Sequence, residues 1–212
     1  MADQEDTMQD QRAATRSSLM LRSAKLVCQS GEYVCIVRDV SAEGVGLRFM
    51  HAVPSEPRII LELSNGSTYP VERVWKGRQQ AGYRFARAIE LNDFIHEPSP
   101  FESRPIRLRI RADALVEAHR VQHRVKLIDL SRGGAMIACE ERFPEGAYLT
   151  LELPGMGAKP ADVCWRKGAQ HGLMFHQPLT IAQLADAAMT LQPFEAPRPV
   201  TFGRRTTHTR AA

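Results

Sequence analysis

The chain has 212 residues, of which 43% are hydrophobic and 25% charged, a composition typical of an ordinary soluble globular protein. No apolar stretch approaches the roughly 20 residues that a membrane-crossing helix needs, and the acidic start Met1-Ala-Asp-Gln-Glu-Asp6 is unlike a secretory signal. A cytoplasmic protein is expected, and its net charge of +4 with a pI near 9.0 suits an anionic partner.

In chain order, residues 1–11 are acidic and lack periodicity, which predicts a disordered arm. Met20 to Cys28 and Tyr33 to Val40 read as strands joined around Ser30-Gly31. In Arg58 to Leu63 the alternation of Ile59, Leu61 and Leu63 puts one face inside and one in water, and Asn65-Gly66 supplies the next turn. Val71 to Trp75 and Gly82 to Ala86 are two more strands, and Ile89 to Ile95 a short helix. Residues 97–103 are a proline-rich linker in which Pro98 and Pro100 disfavour helix. After it the strand pattern starts again, with Leu149, Leu151 and Leu153 in alternation. A capping box at Thr180-Ile-Ala-Gln183 then opens a helix whose apolar face (Ile181, Leu184, Ala185, Ala188, Leu191) is expected to pack on its own barrel. Residues 193–212 are a basic tail, expected to be disordered.

The second series of strands copies the first. Asp39-Val-Ser41-Ala-Glu-Gly44 returns as Asp129-Leu-Ser131-Arg-Gly-Gly134, an offset of 90 residues. The same offset superimposes Pro54 on Pro144, Leu61-Glu-Leu63 on Leu151-Glu-Leu153, Trp75 on Trp165, Gly82 on Gly172 and Phe85 on Phe175. About a dozen identities over about fifty positions without a gap indicate an internal duplication. Two domains follow, residues 12–96 and 104–192. Each motif lies between apolar runs and reads as a turn, in which the Asp would bond amides two residues on and Gly44 and Gly134 would supply φ > 0.

These residues resemble the PilZ family, which carries Arg-x-x-x-Arg on an N-terminal arm, then Asp/Asn-x-Ser-x-x-Gly, then a small β-barrel. The first copy matches in full through Arg12, Arg16, Asp39, Ser41 and Gly44. The second keeps Asp129, Ser131 and Gly134, and the nearest substitutes for its arm are Arg104 with Arg107, or Arg107 with Arg111. The resemblance implies a mainly β protein of two tandem six-stranded antiparallel barrels with short C-terminal helices. It also implies a bacterial receptor for the second messenger cyclic di-GMP. Arg12, Arg16, Asp39, Ser41 and Gly44 are the expected ligand contacts, and Arg104, Arg107, Asp129, Ser131 and Gly134 a candidate second site.

Chemistry agrees with that implication. Guanine presents O6 and N7 acceptors that a planar guanidinium meets bidentately, and Arg also pairs with phosphate and stacks on bases. No enzyme is expected: no Ser/His/Asp or Cys/His arrangement recurs at the repeat, no P-loop is present, and Glu62 and Glu152 alternate outward. No cofactor or metal is expected either, since the four cysteines form no Cys-x-x-Cys pair and His119 and His123 fall in a predicted hairpin. Trp75 and Trp165 read as packing residues, although an indole can stack on a base. The receptor would relay ligand binding to a protein effector through arm ordering and domain rearrangement. The alternative is a ligand-independent adaptor that binds only proteins, while nucleic-acid binding would need aromatic platforms that 7% aromatic content does not supply.

Overall fold

The computed structural model describes residues 21–99 and 105–192. The first barrel is built from β1 (Arg22–Cys28), β2 (Gly31–Val40), β3 (Gly44–Arg48), β4 (Arg58–Glu62), β5 (Thr68–Lys76) and β6 (Gln80–Phe85), followed by α1 (Leu91–His96). Its strands close in the order β1-β2-β3-β6-β5-β4, all neighbours antiparallel. The second comprises β7 (Arg107–Leu108), β8 (Ala112–Ala118), β9 (Val121–Ser131), β10 (Gly134–Ala138), β11 (Tyr148–Leu153), β12 (Gly157–Lys167) and β13 (Gln170–Phe175), followed by α2 (Ile181–Leu191). Pairing of β10 with β9 closes the same six-stranded ring, and β7 is an extra short strand on β9.

Alternation explains the strands: Ile59, Leu61 and Leu63 are buried on the inner face, as are Leu149, Leu151 and Leu153. Asn65-Gly66 turns as its residue types demand, with Gly66 at φ +87° and the Asn65 side chain accepting from the Ser67 amide at 2.9 Å. Each barrel also departs from strict alternation at matched places. One-residue bulges fall between Val37 and Asp39 on β2 and between Arg73 and Trp75 on β5, and again between Val163 and Trp165 on β12. A bulge lets two successive residues face the same side, so Asp39 and Trp75 turn outward where alternation from Val37 and Val71 would turn them in.

One buried cluster runs through both barrels. The expected packing of the last helix is corrected here, because α2 lies against β2 of the first barrel, with Leu184, Ala185, Ala187 and Ala188 buried. The predicted capping box is formed, Thr180 accepting from the Gln183 amide at 3.1 Å and Gln183 accepting from the Thr180 amide at 2.9 Å. At its other end Gln192 behaves like a strand partner: its side chain accepts from the Glu32 amide at 3.4 Å and donates to the Glu32 carbonyl, while its own carbonyl accepts from Tyr33. Gly31 is required there, since a Cβ would stand 2.6 Å from the Gln192 side-chain oxygen.

Candidate functional site

The two motif turns are built alike. Ser41 holds the first, its amide donating to the Gly44 carbonyl at 2.8 Å and its hydroxyl accepting from the Gly44 amide at 3.2 Å. Ser131, buried, donates to the Gly134 carbonyl at 3.1 Å. The chain after β6 pins the first turn through Phe85 N–H to Glu43 (2.8 Å) and Ile89 N–H to Ala42 (2.9 Å), and Phe175 and Leu179 repeat this on Gly133 and Arg132.

Two expectations are revised. Neither Gly44 nor Gly134 has positive φ. Both begin strands pressed on β6 or β13, where a Cβ would collide with the carbonyl of Tyr83 or Leu173. Close approach of backbones, not a left-handed conformation, requires glycine. Nor does Asp39 cap the turn amides: its carboxylate lies over Gly46, where a Cβ would stand 2.6 Å from either oxygen.

That placement reveals a feature the motif alone did not suggest. Asp39 pairs with Gly46 across β2–β3, Gly46 with Gly82 across β3–β6, and Gly82 with Trp75 across β6–β5. The Trp75 indole lies over Gly82 just as the Asp39 carboxylate lies over Gly46. Residues directly opposite in a ladder present the same face, so four neighbouring strands carry one outer row: a carboxylate, the glycine it covers, the glycine under the indole, and the indole. Trp75 is 52% exposed, which corrects its reading as a packing residue. Beside the row, Arg84 faces Gly44 and, with Glu43, Arg58 and Glu72, lines a cleft of about 960 Å³.

In the second barrel the corresponding row is Asp129, Met136, Gly172 and Trp165. A methionine side chain stands where the first barrel has Gly46, and Met174, 55% exposed, replaces Arg84. Asp129 itself is half-buried, and burial pushes its carboxyl above the usual range, opposed by Arg107 and by the Met136 amide. Arg107 reaches it because β7 pairs with the end of β9, placing Arg107 opposite Ser131. The structure therefore brings together Arg107, Asp129, Ser131 and Gly134 in the second barrel, and Asp39, Ser41 and Gly44 in the first. Arg12, Arg16 and Arg104 lie outside the described residues. His119, at φ +52°, sits in the β8–β9 turn, and no group of three His, Cys, Asp or Glu side chains among the described residues could hold a metal.

Gly46 was passed over by sequence reasoning, and Trp75 was read as a packing residue, with stacking on a base only as the alternative. A signal was available in the repeat, where Gly46 is answered by Met136 while Asp39, Gly82 and Trp75 are kept as Asp129, Gly172 and Trp165.

Residues 102–189 match the PilZ domain family. No curated protein matches the chain. Among solved structures the chain is similar to the PlzA protein of Borreliella burgdorferi in complex with c-di-GMP, at 12% identity and a TM-score of 0.34, covering 79% of this chain and 87% of that one. It is also similar to the K. pneumonia MrkH–c-di-GMP complex (10% identity, TM-score 0.31, 80% and 86% covered). YcgR from Escherichia coli in complex with c-di-GMP gives 15% identity and a TM-score of 0.30, with 81% and 84% covered. The family match falls on the second barrel, whereas the full arginine motif stands before the first. No helix among the described residues is long and apolar enough to cross a membrane.

Proposed function

We propose that the chain is a receptor for cyclic di-GMP that binds its ligand on the outer face of the first barrel. The observation that carries this reading is the outer row from Asp39 across Gly46 and Gly82 to the exposed indole of Trp75, set directly beside the Asp39-x-Ser41-x-x-Gly44 turn. The two glycines let the Asp39 carboxylate and the Trp75 indole lie flat on the strands, leaving a low face against which a base can stack. At one end an indole offers a stacking partner, worth about 1–3 kcal/mol per base. At the other end a carboxylate, an acceptor only, meets the donor-rich edge of guanine. No hydrogen bond or ion pair among the described residues engages Asp39, so its oxygens are available. Arg12 and Arg16 then close over the ligand, pairing with its phosphates and with guanine O6 and N7, and Arg84 adds positive charge beside the turn.

The second barrel keeps the turn but adds the Met136 side chain between Asp129 and Gly172, so the ligand is assigned to the first. Binding is relayed to a protein effector by ordering of the arm and a change in how the barrels sit together.

The test is calorimetric titration of the protein with cyclic di-GMP. Saturable binding should weaken about five- to more than a hundredfold in Arg12→Ala/Arg16→Ala and, separately, in Trp75→Ala, as a loss of about 1–3 kcal/mol implies. Trp165→Ala should bind like the parent. Unchanged affinity in the double arginine variant would overturn the site, and silence of the parent protein would leave the adaptor reading.

A further inference from the structure

The outer face of the first barrel carries an ion network that has no copy in the second. The Lys25 ammonium lies 2.9 Å from Glu62 and 3.3 Å from Glu32, and the Lys25 and Glu32 side chains are only 6% and 11% exposed. At the equivalent positions the second barrel has Leu115 and Gln122. What makes the network useful is where it points. The Glu32 carboxylate crosses to the second barrel, accepting a hydrogen bond from the Arg109 main-chain amide at 2.8 Å, with the Arg109 guanidinium Nε 3.7 Å away.

Arg109 follows immediately on β7, whose Arg107 stands opposite Ser131 of the second motif. Glu32 comes close enough to Asp129 to raise its carboxyl further, while Arg107 opposes that shift. Two carboxylates brought together repel unless donors outweigh them. Here the Arg109 main-chain N–H, the Lys25 ammonium and the Arg109 guanidinium surround the Glu32 carboxylate, and Arg107 stands on the same short strand beside Asp129. A partly buried N–H left without an acceptor costs about 1–3 kcal/mol, so this donor set needs an anion.

We propose that Arg107, Lys25 and the Arg109 amide form an anion site at the second motif, of the kind that takes a phosphate group, and that Glu32 fills it from the first barrel. A carboxylate presents two charged acceptor oxygens to N–H donors as a phosphate does. The duplicate motif is thus occupied within the chain. Glu32 holds the barrels together at the place where the second copy would otherwise accept a ligand.

Inorganic pyrophosphate is the probe, and the Arg12→Ala/Arg16→Ala protein the background, so that the result does not depend on the first-barrel reading. Adding Glu32→Ala should create saturable binding, with a Kd at least tenfold lower than any residual binding of the background. A further Arg107→Ala should remove it. A folded Glu32→Ala variant, judged by a cooperative melt, that binds pyrophosphate no better than the background overturns the proposal. So does binding that survives Arg107→Ala. Should Glu32→Ala fail to fold, Glu32→Gln is titrated instead, and it keeps an acceptor for the Arg109 amide while removing the charge. Absence of a binding gain in that variant likewise overturns the proposal.

Discussion

Gly46 and Met136 occupy the same place in the two barrels, and this difference puts a side chain on the second outer face where the first has none of its own. Copying the second barrel into the first by Gly46→Met should abolish cyclic di-GMP binding while leaving a cooperative melt, because the fold already carries methionine at Met136, opposite Asp129. Retained affinity in a folded Gly46→Met protein would show that the ligand does not use the face between Asp39 and Trp75. The buried imidazoles make a second prediction at this scale. His171 is fully buried, and its Nε2 accepts from the Phe143 amide at 3.3 Å; burial holds its pKa, and that of His51, below the usual histidine value. With the folded pKa lowered, the native state favours the neutral ring, so stability is whole above about pH 6.5 and is lost as pH falls below it. The slope per histidine approaches about 1.4 kcal/mol per pH unit. Thermal melts between pH 7.5 and 5 should show this loss, and His171→Gln, whose side-chain oxygen can still accept from Phe143, should reduce it. A melt temperature flat across that range would contradict the assignment.

At the level of the element, the strands were legible because hydrophobic alternation survives along Ile59, Leu61 and Leu63 and again along Leu149, Leu151 and Leu153. The turn at Asn65-Gly66 and the cap at Thr180 were legible because each rests on the chemistry of one or two residues. The ligand face was not. A period of two counted from Val71 puts Trp75 inside, and only the bulge at Val74, a property of β5 pairing with β6, turns it outward over Gly82. The contact of α2 with β2 was equally hidden, since an amphipathic helix announces that it will bury a face without naming the surface that receives it. Its cap is testable. Thr180→Ala removes one arm of the capping box and should cost about 1 kcal/mol of stability, read as a lowered midpoint in urea with an unchanged slope. Because α2 lies against β2 of the first barrel with Leu184, Ala185 and Ala188 buried, the destabilisation should be cooperative across the chain. Two separated transitions would show that α2 is not shared.

Across the whole molecule, β2 connects the two ends of the proposed relay. Its first residues are clamped to α2, with Gln192 bonded to Glu32 and Tyr33, and near its end stands Asp39 of the proposed ligand face. A rise of about 3.3 Å per residue makes a ten-residue strand about 30 Å long, so the clamp cannot touch the ligand. Any effect of one on the other must pass through the arrangement of the barrels. Thermodynamic linkage then makes a strict demand: a ligand that shifts the barrels binds the two arrangements unequally, and whatever shifts the barrels must change ligand affinity by the same factor. Gln192→Ala/Tyr33→Phe loosens the clamp without altering the row from Asp39 to Trp75. If binding is relayed through barrel arrangement, this variant should change the Kd for cyclic di-GMP by about fivefold or more, the lower end of typical coupling energies of about 1–3 kcal/mol. A Kd equal to that of the parent, in a variant shown by melting to be loosened, would remove the relay through the barrels and confine the ligand's effect to the arm that closes over it.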